Sequence, residues 1–139
     1  MTGFLLDTNV ISELRKRDRI DARVEQWFDD NIDAELWLSV LVVAELRRGV
    51  ELVRRRDEAA ARMLAAWLDS VVIDYEDRIL PVTIEIAQRW GILSVPDPLP
   101  WIDRMLAATA LQHGLTLVTR NVDGVRRTGV ALVNPFGPG

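Results

Sequence analysis

The sequence predicts an α/β protein in which a central, mostly parallel sheet lies between two layers of helices. Short apolar segments alternate with longer segments of helical periodicity, a pattern typical of parallel sheets covered on both faces. The first apolar segment is continuous rather than alternating, as expected of a strand buried on both sides. With 139 residues, 49% of them hydrophobic, we expect one three-layer α/β/α domain over residues 1–139, with four to five short strands.

The first strand leads directly into a candidate functional residue. The apolar segment Phe4–Leu6 is followed at once by Asp7, and helical periodicity begins at Val10. In open α/β sheets, ligands bind just beyond the carboxyl ends of the strands, which is where Asp7 lies. Aspartate is also a favoured helix N-cap, and for Asp7 taken alone capping is the better explanation.

The next segments alternate again between helix and strand, and the longest helix contains a second acidic candidate. They predict a helix, a strand and two further helices: Asp21–Asn31, Leu36–Leu38, Val40–Arg55 capped by Ser39, and Asp57–Ser70. Within the helix over Val40–Arg55, the neighbours of Glu45 one turn away are Leu41, Val42 and Gly49. A carboxylate buried unpaired at such an apolar boundary costs several kcal/mol, and a nearby cation would compensate that cost.

The remaining segments predict the third strand, two helices and the last two strands. In order they are a strand at Ile79–Val82, a helix from its cap Thr83 to Trp90, a Pro-rich loop at Ser94–Pro100, a helix at Pro100–Gly114, a strand at Leu115–Thr119, a turn at Arg120–Gly124 and a strand at Ala131–Val133. Pro81 cannot donate to a strand ladder, so the third strand is expected at an edge. Asp103 lies in the first turn of its helix, where the helix dipole alone would favour an acidic residue.

Composition excludes several kinds of chemistry. The chain has no cysteine and one histidine, His113, so it cannot form disulfides, a thiol nucleophile or an ordinary structural zinc site. We assign no catalytic role to His113. Any active site must therefore use carboxylates, which are hard oxygen ligands suited to Mg²⁺ or Mn²⁺.

Charge and hydropathy restrict the partners and the location. The net charge of −4 argues against strong non-specific binding to nucleic acid, although local arginines can still contact phosphates. The longest apolar run, Val40–Ala44, is too short to cross a bilayer, and no signal-peptide pattern is present. We therefore expect a cytoplasmic protein that does not bind membranes.

Three acidic residues gain a common explanation if they meet in space. Asp7, Glu45 and Asp103 each have an ordinary structural role available, as described above. Clustered carboxylates, however, repel one another and need a divalent cation to remain ionised. Such a metal activates water and stabilises charge on a phosphoryl group.

Four segments of the chain resemble the PIN domain, most closely the VapC/FitB-type toxins of bacterial toxin–antitoxin pairs. The segments are LLDTNVIS (Leu5–Ser12), SVLVVAEL (Ser39–Leu46), PWIDRMLAATALQHGLTLVTRN (Pro100–Asn121) and TGVALVNPF (Thr128–Phe136). They follow the order of the family and span nearly the whole chain, and the third is the most specific.

The resemblance implies a metal-dependent endoribonuclease with a PIN-like α/β/α sandwich. At the matching positions, Asp7, Glu45 and Asp103 are the expected catalytic residues that hold Mg²⁺, or Mn²⁺ as a substitute. The resemblance also implies an RNA substrate and a VapB/FitA-like antitoxin, often encoded alongside, whose C-terminal segment wraps the toxin. We accordingly expect a homodimer or a toxin–antitoxin hetero-oligomer.

One position departs from the family's pattern. After TRN the family has two residues, then Asp and Phe, whereas this chain has Gly124 at the position of that fourth acid. The fourth ligand and any second metal are therefore not specified by the pattern. Thr119, Asn121 and Asp123 are candidate rim residues that supply oxygen atoms or hydrogen bonds.

Hydrolysis of RNA by a water activated at the metal is the leading hypothesis, with Arg47, Arg48 or Arg120 positioning the RNA backbone. An aspartyl phosphatase of the haloacid dehalogenase type also places an Asp after its first strand, but it requires a second Asp where Asn9 stands. A further alternative is a non-catalytic PIN-like module that binds a partner. Interface anchors for that module would come from the five tryptophans, Trp27, Trp37, Trp67, Trp90 and Trp101.

Overall fold

The structure, a computed structural model, describes residues 3–96 and 101–137. Its five strands, numbered β1 to β5 along the chain, are Gly3–Leu6, Glu35–Ser39, Ile79–Leu80, Thr116–Val118 and Leu132–Val133. They form one sheet in the order β3-β2-β1-β4-β5, and every neighbouring pair is parallel. The expected parallel sheet is thus confirmed, with five strands.

In the part of the chain that the structure describes, six α-helices flank the sheet, which confirms the three-layer α/β/α class. Numbered α1 to α6, they are Thr8–Ile11, Ala22–Asp30, Val40–Arg54, Glu58–Asp74, Ile84–Leu93 and Trp101–His113. Segments of 3-10 helix lie at Ser12–Arg19, Glu76–Arg78 and Arg126–Thr128. Both predicted caps are confirmed: Ser39 Oγ accepts from the Leu41 N–H at 3.0 Å, and Thr83 Oγ1 accepts from the Ile86 N–H at 3.2 Å. Pro100, the predicted start of the helix that contains Asp103, lies outside the described residues.

The central strand β1 positions the first candidate residue. Leu5 pairs with Trp37 on one side and with Leu117 on the other, and both Leu5 and Leu6 are fully buried. A strand in this position has helices over both faces, which explains its continuous apolar sequence. The chain leaves the sheet at Asp7, whose backbone N–H donates to the Val118 carbonyl at 2.9 Å.

Some element ends differ from the predictions. Helix α4 continues to Asp74 instead of ending at Ser70, and its last turns bury Val71 in the core. The Ser70 hydroxyl donates to the Trp67 carbonyl at 2.6 Å within the helix. Strand β3 is at the edge, as predicted, but ends at Leu80, before Pro81. The helix after Asp7 has only four residues and gives way to 3-10 turns.

The core includes residues from all layers. Leu38, Val42, Val50, Leu106 and Leu117 are each no more than 1% exposed. Within the described residues, no helix is both long and apolar enough to cross a membrane.

Candidate active site

Asp7 is buried at the carboxyl end of β1 and receives hydrogen bonds on both oxygens. Its side chain is the N-cap of α1, with Oδ1 accepting from the Thr8 N–H at 2.7 Å. Oδ2 accepts from the Thr119 hydroxyl at 2.7 Å and lies 3.4 Å from the Asn9 side-chain amide. Asp7 therefore has both roles that its position suggested: it caps a helix, and it presents a carboxylate at the edge where ligands bind.

The surroundings of Asp7 disfavour its negative charge. Burial raises its pKa from 3.8 to about 6, although the Thr119 and Thr8 hydrogen bonds lower it. The charges of Asp103 and Glu45 contribute to this rise, after burial. Three carboxylates that are far apart in sequence therefore interact electrostatically at one place.

Glu45 is oriented by a residue next to Asp7. Its Oε1 accepts from the Thr8 hydroxyl at 2.6 Å, a contact that joins α1 to α3. Glu45 is half-buried and has a hydrogen-bond donor, so it does not bear the cost of unpaired burial. The partner that the sequence did not indicate is Thr8, which lies 37 residues earlier in the chain.

Asp103 is held from the loop that follows β4. Its Oδ2 accepts from the Asn121 side-chain amide at 2.7 Å. The Asn121 backbone N–H donates to Thr119 Oγ1 at 3.0 Å, and that hydroxyl in turn donates to Asp7. The candidate rim residues Thr119 and Asn121 thus link the carboxylates of Asp7 and Asp103.

Asp123, the third candidate rim residue, faces away from these contacts. Its side chain is 92% exposed, and its carboxylate lies 3.6 Å from the guanidinium of Arg126. Gly124 adjoins Asn121 closely: a Cβ at this position would lie 2.7 Å from Asn121 Nδ2.

The three carboxylates share a neighbourhood, but each is bound to a different donor, namely Thr119, Thr8 and Asn121. Within the part of the chain that the structure describes, no three acidic or histidine side chains form a group arranged to hold a metal ion. The donor set nevertheless suits a hard divalent cation, because all three candidate ligands are carboxylates. Burial, together with the charges of Asp103 and Glu45, raises the pKa of Asp7, and a cation would offset this effect. Asn9 directs an amide at Asp7 where an aspartyl phosphatase requires a second carboxylate.

Two features beside the carboxylates were not predicted in this form. The guanidinium of Arg120 stacks on the ring of the buried Phe136, with 3.6 Å between the guanidinium carbon and the ring centroid. A groove of about 330 Å³ extends from Glu45 and Thr8 between α3 and α4. Its walls include Leu46, Leu64 and Trp67, and arginines 15 and 56 also line it.

The sequence model of the PIN domain matches residues 4–130. The chain belongs to the PIN-domain family. This PIN domain is 34% identical over 138 residues to the toxin FitB of Neisseria gonorrhoeae, a match that covers 95% of this chain and 97% of that protein. It is also 31% identical over 142 residues to the VapC ribonuclease Y4jK of Sinorhizobium fredii, with 96% and 98% covered.

Solved structures give the same relationship. The crystal structure of FitAcB from Neisseria gonorrhoeae matches with a TM-score of 0.86 and 34% identity, covering 97% of this PIN domain and 99% of that chain. The structure of FitAB bound to the IR36 DNA fragment matches with a TM-score of 0.83 and 31% identity, covering 98% and 97%. The resemblance to VapC/FitB-type toxins in the sequence motifs is thereby confirmed.

Proposed function

We propose that this PIN domain is a divalent-metal-dependent endoribonuclease, the toxin of a toxin–antitoxin pair acting in the cytoplasm. The observation that carries the proposal is the hydrogen-bond network that links the three carboxylates. Thr8 contacts both Asp7 and Glu45, and Thr119 and Asn121 link Asp7 to Asp103. The charges of Asp103 and Glu45 also act on Asp7 and help to raise its pKa. The relatives named as a VapC ribonuclease and a FitB toxin cover nearly the whole chain, which supports the same activity.

Asp7, Glu45 and Asp103 would hold the cation, Mg²⁺ or its substitute Mn²⁺. When bound, the cation supplies charge stabilisation at the scissile phosphate and activation of water for in-line attack. The hydroxyl of Thr8 orients Glu45, and the hydroxyl of Thr119 and the amide of Asn121 orient the two aspartates. Hydrogen bonds of this kind to ligating carboxylates fix the direction of their lone pairs.

The proton of the attacking water would pass to a carboxylate of this site. His113 is in the last turn of α6 and Asp103 is in the first turn. Ten residues of helix separate them by roughly 15 Å, which is too far for direct proton transfer at Asp103. Carboxylates are therefore the bases that the site itself provides.

Among the three arginine candidates, Arg120 is the best placed to position the RNA backbone. It directly follows Thr119 in the chain, its backbone N–H donates to Asn9 at 3.2 Å, and its guanidinium is supported by Phe136. Arg47, by contrast, lies 3.7 Å from Glu51 and 3.8 Å from Asp69, so its charge is partly compensated within the protein. A guanidinium that is already positioned loses less entropy when it binds phosphate.

The first test is cleavage mapping on total RNA with wild type, Asp7→Asn and Asp103→Asn. Each substitution keeps the shape of the side chain but removes its charge. Loss of residues around metal ligands typically costs about 10–100-fold, so loss of a ligand should reduce metal-dependent cleavage by at least about 100-fold. Asp123→Asn is the matched control and should cleave like wild type, because that side chain is almost fully exposed.

Unchanged cleavage by both site variants, or full cleavage in excess EDTA, would overturn the assignment. Thermal unfolding of each variant in EDTA verifies that the fold is kept.

A non-catalytic partner-binding module is the second candidate function. One observation favours it: among the described residues, no set of three or more acidic or histidine side chains is already arranged as a metal site. Calorimetry with Mn²⁺ distinguishes the two functions, since carboxylate-dependent binding supports the nuclease and its absence supports the module.

For the toxin–antitoxin assembly, we propose that the antitoxin segment occupies the groove between α3 and α4. The groove reaches Glu45 and Thr8, so a segment bound there would also cover the site. Apolar grooves of this kind bind amphipathic segments through a few large side chains.

A further inference from the structure

The glycine at the position of the missing fourth acid has a specific neighbour. A Cβ built on Gly124 would lie 2.7 Å from Asn121 Nδ2 and 3.1 Å from both Cγ and Oδ1. Real Cβ atoms essentially never come within 3.0 Å of another group, so any other residue at position 124 would displace the Asn121 amide.

The backbone at Gly124 does not itself require glycine. Among the described residues, the glycines with positive φ are Gly114, Gly129 and Gly137. Gly124 is in a turn, in which the Val125 N–H donates to the Val122 carbonyl at 3.2 Å, but its backbone is in a region open to other residues. Lack of space for a Cβ, rather than conformational freedom, explains the glycine.

Asn121 is held in place from two directions. Its backbone N–H donates to Thr119 Oγ1 and its side-chain amide donates to Asp103 Oδ2, at 3.0 and 2.7 Å. The side chain is exposed, so water competes for the bond to Asp103. Because position 124 carries no Cβ, the amide has the space to lie next to Asp103.

We infer that Asn121 is a positioning residue that orients Asp103 toward the divalent cation, and that Gly124 is present because it leaves room for the Asn121 amide. This chain keeps the Asn of the TRN motif, which donates a hydrogen bond to the third acid, and has glycine where the pattern has a fourth acid. The inference rests on the proposed metal-dependent function. It deepens that function by assigning a role to two residues that are not themselves ligands.

A double-mutant cycle on Mn²⁺ affinity tests this coupling. The variants are Asn121→Ala, Gly124→Ala and the double variant, titrated calorimetrically with Mn²⁺. Each single variant should bind Mn²⁺ about 10-fold more weakly, because both release Asp103 from the Asn121 amide. The double variant should also be about 10-fold weaker, not about 100-fold, since the methyl at 124 has no amide left to displace.

Gly91→Ala is the matched control, because a Cβ at Gly91 meets nothing within 4 Å and its φ is not positive. It should bind Mn²⁺ like wild type. Thermal unfolding in EDTA, measured for every variant, separates loss of positioning from loss of fold.

Several results would overturn the inference. One is a Mn²⁺ affinity equal to that of wild type in both single variants. Another is a fold-loss of Mn²⁺ affinity in the double variant that equals the two single fold-losses multiplied together. If the double variant is unfolded, the glycine at position 124 is needed for the turn itself and not to leave space for Asn121. If wild type itself binds no Mn²⁺, both this inference and the proposed function are wrong, whereas an additive cycle in a Mn²⁺-binding protein refutes the inference alone.

Discussion

Asp7 serves as a structural cap, and it also carries a charge that the fold disfavours. Its Oδ1 accepts the Thr8 N–H as a capping oxygen should, yet the side chain is only 5% exposed. Asparagine caps helices about as well as aspartate does. The capping role and the charge of Asp7 can therefore be separated by one substitution.

Asp7→Asn should stabilise the metal-free protein at neutral pH. The folded-state pKa of about 6 exceeds the ordinary value of 3.8, so the folded state holds the proton more tightly than the unfolded state does. The contribution of Asp7 to stability is therefore full below about pH 4, is lost as pH rises to about 6, and remains absent above that. The pKa difference between the folded and the unfolded state corresponds to at most about 3 kcal/mol of unfolding free energy.

Denaturant unfolding in EDTA between pH 4 and pH 8 measures this effect. The free energy of unfolding of Asp7→Asn should exceed that of wild type by an amount that grows between about pH 4 and 6 and stays constant at higher pH. Asp123→Asn should show no such profile, since its side chain is exposed. A lower stability of Asp7→Asn than of wild type at pH 7.5 would contradict this prediction. It would mean that the charged carboxylate stabilises the fold.

Residue-level partners were the least predictable part of the site. The identities of Asp7, Glu45 and Asp103 followed from local segments and from motif resemblance. Their partners did not, because Thr8 and Glu45 are 37 residues apart and Asn121 and Asp103 are 18 apart. Such pairs are set by the packing of elements, which leaves no periodic signal in the sequence.

At the scale of elements, the features that local sequence determines were predicted correctly. The features that depend on packing between elements were not. The caps Ser39 and Thr83 are local features, and both were located correctly. Pro81 correctly indicated an edge strand, but that strand ends at Leu80 and not at Val82. The apolar spacing of Ala59, Met63, Ala66 and Trp67 predicts helix α4, but the residues that it buries are Ala61, Leu68 and Val71, while Met63 is 77% exposed.

Buried polar groups show the same limit. Arg104 follows Asp103 and is 1% exposed, and its Nη1 donates to the Leu93 carbonyl near the end of α5. An arginine that follows an aspartate on a helix gives no sign in sequence that it will be enclosed, because arginine is seldom buried. The contact between α5 and α6 provides the acceptor.

The tail after β5 provides an element-scale support for the site. It brings the buried Phe136 under Arg120, which immediately follows the Thr119 that binds Asp7. Cation–π stacking contributes about 0.5–1 kcal/mol at exposed positions and, more importantly here, fixes the direction of the guanidinium. The C-terminal tail and the loop after β4 thus hold one guanidinium on the residue that follows Thr119.

Arg120→Gln should weaken RNA binding about fivefold in an Asp103→Asn background, in which cleavage does not interfere. Loss of one phosphate contact to single-stranded RNA should also reduce the slope of log affinity against log salt by about 0.7. Arg120→Lys keeps the charge without the planar stack, and should lose less. Fluorescence anisotropy with a labelled single-stranded RNA measures both quantities.

Arg47→Gln is the control, because its guanidinium lies near Glu51 and Asp69. Equal losses for Arg47→Gln and Arg120→Gln would indicate a general effect of charge. No loss for Arg120→Gln would remove Arg120 from the RNA-binding surface.

At the scale of the whole molecule, the site depends on all the layers of the fold. Asp7 is supplied by the end of the central strand, Glu45 by α3 and Asp103 by α6, and the linking residues Thr119 and Asn121 follow β4. The net charge of −4 provides no general attraction for RNA. RNA must therefore be bound by local contacts near the carboxylates. The neighbouring groove is then available to a protein partner.

Binding of the antitoxin at that groove predicts a specific sensitivity to charge on α3. Leu52 lines the groove and is 43% exposed, so Leu52→Glu should leave the fold intact while placing a charge in an apolar contact. We expect the affinity for the cognate antitoxin to fall by at least about 10-fold, equivalent to about 1.4 kcal/mol. Calorimetry with the purified pair measures this loss.

Met63→Glu is the matched control for this substitution. Met63 is on α4, is 77% exposed and is not part of the groove lining, so its substitution should leave antitoxin affinity unchanged. RNA cleavage by both variants should remain near that of wild type, because neither side chain contacts the carboxylates. Equal affinity in Leu52→Glu and wild type would place the antitoxin elsewhere, and equal loss in both variants would indicate a contact across the outer faces of α3 and α4 instead of in the groove.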